Sequence, residues 1–337
     1  AGHLTVRDIK LVGGSRGIDA EGATSLTVDR VTATGSSSHA IGAEVAGGAV
    51  TLTDVTVSNA RAAAIQYASS VTLTRPKLTL TGDYPLTIFD TVGNVTITDP
   101  TISINVGFAE AMWVADTGGN VTVTGAAVTS TGQYSNDGLN VYRTKGNVTV
   151  SNSAFTGVGL GVEIADTDGT VTVSGVSVDD FDGSGIVARG SKGLVTIRDS
   201  EVSDGSGQYT SGIKVENSTA DVVVDNVQVS DVDYHGIEIG KAREVEVTDT
   251  LVENTGDDGI LIGFVAKVSG DAFVADTVVT NAGTSGIYVG EVAGEMYVLR
   301  STVTGAGEHG VNAHGADGLG VVESTIADST ELGVVGR

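Results

Sequence analysis

Short runs in which apolar residues alternate with hydroxyl residues recur along the whole 337-residue chain. Leu26-Thr27-Val28, Val50-Thr51-Leu52-Thr53, Val71-Thr72-Leu73-Thr74 and Val95-Thr96-Ile97-Thr98 open the series. Val121-Thr122-Val123-Thr124, Val148-Thr149-Val150, Val171-Thr172-Val173 and Val195-Thr196-Ile197 continue it. A period of two sends every second side chain to the same face, as in a half-buried strand. Between these runs lies a second motif, a small residue followed by an alternating apolar pair. It appears as Gly17-Ile18, Gly138-Leu139, Gly161-Val162, Gly185-Ile186, Gly212-Ile213, Gly236-Ile237, Gly259-Ile260, Gly286-Ile287, Gly310-Val311 and Gly333-Val334. From Gly138 onward the glycines are 23, 24, 27, 24, 23, 27, 24 and 23 residues apart. Before that, Gly17, Ala40, Ala64, Leu86 and Ala111 are read as the equivalent positions.

A repeat of this length carrying short strands predicts a solenoid of about fourteen turns of about 24 residues. The fold class is all-β, a single right-handed parallel β-helix running through residues 1–337 as one continuous domain. A leucine-rich repeat needs a Leu framework with a helical segment, and a β-propeller needs four antiparallel strands per blade. Neither pattern is present. Alternation points Ile213 and Val215 inward and Lys214 and Glu216 outward.

Composition narrows the function classes. The chain has 48 Gly, 3 Pro and no Cys, and 42 acidic against 18 basic residues give a net charge of -24. No basic stripe suited to nucleic acid is visible, and no apolar run reaches the ~20 residues of a membrane span. A disulfide scaffold and thiolate chemistry are excluded. An acidic, Lys-poor surface fits an extracellular or cell-surface protein of a prokaryote.

The spacing and the small-Gly-Ile-x-Val pattern resemble the right-handed parallel β-helix repeat superfamily over essentially the whole chain. That superfamily includes pectate lyases, polygalacturonases, alginate lyases and mannuronan C-5 epimerases, together with phage tailspikes and surface adhesins. The resemblance implies a fold and names no single reaction. Tyr234-His235-Gly236-Ile237, followed one turn later by Asn254-Thr255-Gly256-Asp257-Asp258-Gly259-Ile260, is similar to epimerase turns. The Asp257-Asp258 pair is also similar to that of polygalacturonases, whose carboxyls protonate a leaving oxygen and activate water. Here His235 precedes the pair instead of following it, and the epimerase Asp-Pro-His-Glu motif is absent. Adjacent Asp residues at a β-corner also serve simply as turn formers.

Counting outward positions from the Gly-Ile strand assembles one face. One column reads Trp113, Asn140, Glu163, Val187, Lys214, Glu238, Leu261, Tyr288 and Asn312; its neighbour includes Tyr142, Arg189, Glu216, Gly240, Gly263, Gly290 and His314. His235, Asp258 and His309 lead into the same strands. With turns about 4.8 Å apart, Arg189, Lys214 and Glu238 span about 10 Å, close to one sugar unit. On an acidic glycan, a uronate lyase or epimerase needs a cation to neutralise the carboxylate and a base such as Lys214, Tyr234 or His235. Glu163, Glu216 and Glu238 offer oxygens to Ca2+. Trp113, Tyr142, Glu163, Tyr288, His309, Asn312 and His314 form the candidate glycan-binding face, with Arg189, Glu238 and Asp258 assisting catalysis.

A plainer account competes. Stacked opposite charges such as Arg189 with Glu216, or Lys214 with Glu238, are ordinary cross-strand pairs. The turns carry no long loop to wall a cleft, and Gly240, Gly263 and Gly290 make a flat strip. Asn94, Asn120 and Asn147 precede Val-Thr at equivalent corners and read as sequons or as an Asn stack in left-handed geometry, and Asn217 begins a further sequon. Asp166-Thr167-Asp168-Gly169 lacks the Glu of a calcium loop and reads as a solvated turn.

The leading expectation is therefore a structural or adhesive solenoid with no required cofactor. Strand pattern reaching both ends suggests a filament subunit associating end to end with its own copies. The alternative is a polysaccharide-active enzyme, a uronate lyase or C-5 epimerase ahead of a glycoside hydrolase.

Overall fold

The structure is a computed structural model. It describes residues 2–59, 61–80, 86–105, 110–131, 136–264 and 266–336, so Ala1 and Arg337, which belong to the end-to-end expectation, lie outside the described residues. Two compact units divide the chain, Ala1–Gly169 and Thr170–Arg337.

In each unit the chain winds through three parallel sheets, turn after turn. The first sheet of the first unit begins with His3–Arg7, Ser25–Asp29 and Ala49–Thr53 and reaches the start of Val148–Val158, seven strands in all. The second sheet begins with Lys10–Val12 and the third with Ile18–Asp19. The second unit repeats the plan, its third sheet running from Ile186–Arg189 through Ile213–Glu216, Ile237–Ile239 and Ile260–Ile262 to Val334–Gly336. Every described pairing within a unit is parallel and no helix occurs among the described residues, so none is long and apolar enough to cross a membrane. The fold is the all-β parallel solenoid that the repeat predicts.

Register explains the repeat. Val95 pairs with Val121 and Ile97 with Val123, and all four are fully buried. Each such side chain contributes about 1.5–3 kcal/mol on burial. Ile213 and Val215 are likewise inside, with Lys214 and Glu216 outside. The early small-residue assignments need correction. Ile41 pairs with Ala63 and Ala63 with Leu86, so Ala62, not Ala64, is the equivalent of Ala40, and Leu86 is itself an inward residue. The miscount arose because Ala fills inward and corner positions alike at Ala62-Ala63-Ala64.

Many corners require left-handed backbone. Asp8, Arg30, Asp54, Arg75 and Asp99 follow the first-sheet strand in successive turns with φ between 49 and 55°. A side chain costs about 1–2 kcal/mol in that region. Part of the return is electrostatic: Arg30 forks onto Asp8 at 2.6 and 2.9 Å, and Arg75 onto Asp54 at 2.7 and 2.8 Å. Being exposed, these pairs are screened by solvent and contribute little to stability. The asparagine column is real but its geometry differs from expectation. Asn94 accepts the Asn120 N–H, and Asn120 the Asn147 N–H, both at 2.9 Å, with none of the three at positive φ. The side-chain carbonyl takes the place of a backbone acceptor there.

The glycine before each third-sheet strand is set by close approach. A Cβ on Gly236 would lie 2.4 Å from Val252 Cγ1 and 2.6 Å from the Gly259 carbonyl oxygen, and Gly212 and Gly259 repeat this crowding. On Gly240 the nearest atom would be 3.7 Å away. Gly236→Ala is therefore expected to cost about 1–3 kcal/mol in chemical denaturation, with Gly240→Ala close to wild type; equal stability of the two variants would refute the packing argument.

Candidate active site

Four successive turns of the second unit enter the third sheet through the same corner. Because Ile237, Ile260, Ile287 and Val311 are in register, the residues at equal distance before them stack. Two residues before the strand stand His235, Asp258, Ser285 and His309; three residues before stand Tyr234, Asp257, Thr284 and Glu308. On the strand itself Glu238, Leu261, Tyr288 and Asn312 form the outward column. All of these except Glu238 and His309 line a cavity of about 240 Å³, as does Phe264.

Asp257 and Asp258 are tied by one hydroxyl. Thr284 Oγ1 lies 2.6 Å from Oδ1 of each, and the Ser285 N–H donates to Asp258 Oδ1 at 3.0 Å. A hydroxyl has a single proton to give. The second short contact is a hydrogen bond only when one of the carboxyls carries a proton. Burial, reinforced by the Asp257 charge, holds the Asp258 carboxyl above the ordinary carboxylate range, against the opposing hydrogen bonds from Thr284 and Ser285.

His235 is 4% exposed and lies under the Tyr234 ring, centroid to centroid 3.8 Å. Its Nδ1 accepts the Asp258 N–H at 3.3 Å, which leaves the proton of the neutral ring on Nε2. Burial draws its pKa below the usual value although Asp258, Asp257 and Glu238 pull the other way. One ring nitrogen of His235 and one oxygen from each Asp lie within 4.8 Å of one another, the set among the described residues close enough to share a metal ion.

Lys214 has a different environment from that of a free base. Its Nζ sits 3.0 Å from Glu216 and 3.2 Å from Glu238, which also accepts the Ser211 hydroxyl at 3.0 Å. Burial lowers its pKa, but the Glu216 hydrogen bond and the two carboxylate charges outweigh this, and the net shift is upward. Lys214 keeps its proton. The Ca2+ expectation does not fit Glu216 and Glu238, because an ammonium already bridges them, and Glu163 accepts from Asn140 at 3.3 Å.

The other candidates have contacts of their own. Trp113 packs edge-on against Phe89 and Tyr142 lies beneath the Arg143 guanidinium, both in the first unit. Arg189 is exposed beside Glu216 in register. Tyr288 contacts Phe264 and His314, and His309 Nε2 is 3.6 Å from Glu331. Thr284 and Phe264 were not anticipated. Thr284 was legible, since it precedes Gly286 by the same two residues that separate Asp257 from Gly259. Phe264 lies just past a strand end, where spacing carries no signal.

With this geometry in place, the chain belongs to the right handed beta helix region family, whose model matches residues 1–155 and 160–326. Among solved structures it is similar to the periplasmic alginate epimerase AlgG, at 10% identity and TM-score 0.41, over 89% of this chain and 76% of that one. It is also similar to the A-module of the Azotobacter vinelandii mannuronan C-5 epimerase AlgE6, at 11% identity and TM-score 0.27, over 99% and 89% of the two chains. A GH87 α-1,3-glucanase catalytic domain in complex with tetrasaccharides matches at 10% identity and TM-score 0.27, over 99% and 64%. No curated protein matches the chain.

A carboxyl whose pKa is raised by folding stabilises fully below its ordinary value of 3.8, and that contribution is lost as pH rises through the raised value. Asp258→Asn should accordingly be more stable than wild type at pH 7, with the gain vanishing near pH 3. A lower thermal midpoint for the variant at pH 7 would contradict the burial argument.

Proposed function

We propose that the protein is a polysaccharide-active enzyme working by general acid–base chemistry at the Asp257–Asp258–His235 pocket. The observation that carries this reading is the Asp257–Thr284–Asp258 array, in which one hydroxyl lies 2.6 Å from an oxygen of each carboxyl, beside a buried imidazole. In glycoside hydrolysis such a pair divides the work. The protonated carboxyl gives its proton to the glycosidic oxygen as the C1–O bond breaks. Oxygens of the two carboxyls lie within 4.8 Å of one another, the short spacing of a retaining pair, so the carboxylate bonds to C1 as the leaving oxygen departs, and water then displaces it from C1 while giving a proton to the first carboxyl. His235 holds the Asp258 backbone in place through Nδ1. Tyr234, Tyr288 and Phe264 supply ring faces for the apolar side of a sugar. No step is routed through a metal.

This reading displaces the adhesive filament as the first choice, since the structural account gives no reason to bury His235 and Asp258 side by side. A polymeric substrate places the enzyme outside the cytoplasm, in keeping with the acidic surface. Lyase and epimerase chemistry remain distinguishable by product: unsaturated uronates mark a lyase, hydrogen exchange at C5 marks an epimerase, and new reducing ends without unsaturation mark a hydrolase.

Incubation with a panel of neutral and acidic polysaccharides should give one of these products. Asp257→Asn and Asp258→Asn should each lower kcat by about 10²–10⁴-fold, and the alkaline limb of the pH profile should lie above the ordinary carboxylate range because Asp258 must hold a proton. Inertness of the wild type across the panel, or full activity in both variants, would return the structural reading.

A further inference from the structure

The walls of the pocket carry charge of one sign. Asp257 and Glu308 face it beside Asp258, whose proton is the one donated in the reaction above, and no Lys or Arg is among the residues lining it. Lys214, two turns back along the outward column from Leu261, is bracketed by Glu216 and Glu238 and adds no net positive charge. A uronate carboxylate seated here would meet like charges at close range in a partly desolvated site, with no partner to offset them.

A second, independent feature asks for a hydroxyl. Asn312 is 6% exposed, lines the same cavity, and its Oδ1 is buried with no hydrogen-bond partner. A buried acceptor left unpaired is costly. A sugar hydroxyl donates to it, whereas a carboxylate has no proton to give. Size agrees, because about 240 Å³ is below the roughly 300–1,000 Å³ of sites for drug-sized ligands and suits a single ring. Tyr288 and Phe264 meet edge to face at 5.7 Å and offer that ring an apolar wall.

We propose that the pocket takes an uncharged pyranose of a neutral polysaccharide, with Asn312 accepting a hydrogen bond from one of its hydroxyls. This rests on the enzymatic reading above and narrows it. Elimination and C5 epimerisation both need the uronate carboxylate to acidify the α-proton, so the reaction on a neutral sugar is hydrolysis. The acidic glycan expected from sequence is replaced.

The test compares soluble α-glucans, β-glucans and galactomannan with alginate, pectate and polygalacturonate, each with EDTA and with added Ca2+, by reducing-end release. Cleavage of a neutral polymer at least about a hundredfold faster than any acidic one, together with a loss of about tenfold in kcat/KM in Asn312→Leu, supports the proposal. Cleavage of an acidic polymer at equal or greater rate, under either metal condition, overturns it while leaving the enzymatic reading intact. Hydrogen exchange at C5 of an acidic polymer without cleavage likewise overturns it; if neither cleavage nor exchange occurs, the enzymatic reading fails, and calorimetry with oligosaccharides of both classes decides the substrate class. Binding of neutral oligomers that weakens in Asn312→Leu then supports it, and binding of acidic oligomers or of neither class overturns it.

Discussion

In-register parallel stacking governs this protein. Each residue sits one strand spacing from its equivalent in the next turn and must satisfy nearly the same surroundings. Inward positions therefore keep Val, Ile and Leu, as in Val95, Val121 and Val148. The third-sheet entrance keeps glycine wherever a Cβ would collide with the turn ahead, as at Gly212, Gly236 and Gly259. A slip of one residue would turn every inward side chain to solvent, so the ladder is held by its whole length and not by any single contact.

The same constraint makes the site visible as a break in a column. Two residues before the strand the second unit carries Ser184, Ser211, His235, Asp258 and Ser285, all buried. Serine is small and finds backbone partners easily. Replacing it with imidazole and carboxyl in consecutive turns brings titratable groups into a place the repeat otherwise keeps nearly neutral. The neighbouring row responds, with Thr284 binding both Asp257 and Asp258. Burial then moves the two groups in opposite directions, the carboxyl pKa upward and the imidazole pKa downward.

Much of this was legible in the residue order because a period of about 24 residues aligns the chain with itself. The outward column from Lys214 to Asn312 was read correctly by counting alone. What counting cannot give is side-chain reach. Lys214 looked like a base until its ammonium was seen between Glu216 and Glu238, and Asn312 looked like one more polar residue until its carbonyl proved unpartnered. Ala62-Ala63-Ala64 misled for a simpler reason, since three identical small residues carry no phase information.

The dependence of the pocket on four consecutive turns limits how such a protein can diverge. Solenoids lengthen or shorten by duplication or loss of a whole repeat, which leaves each remaining ladder contact intact. Such an event between Ser25–Asp29 and Ala49–Thr53 would alter the first unit and leave the pocket walls untouched. Between Tyr234 and Asn312 it would separate the imidazole from the carboxyls or the carboxyls from the amide. Descendants that retain the chemistry are thus confined to varying repeat number outside that segment, and inside it only single-residue exchange remains open to them.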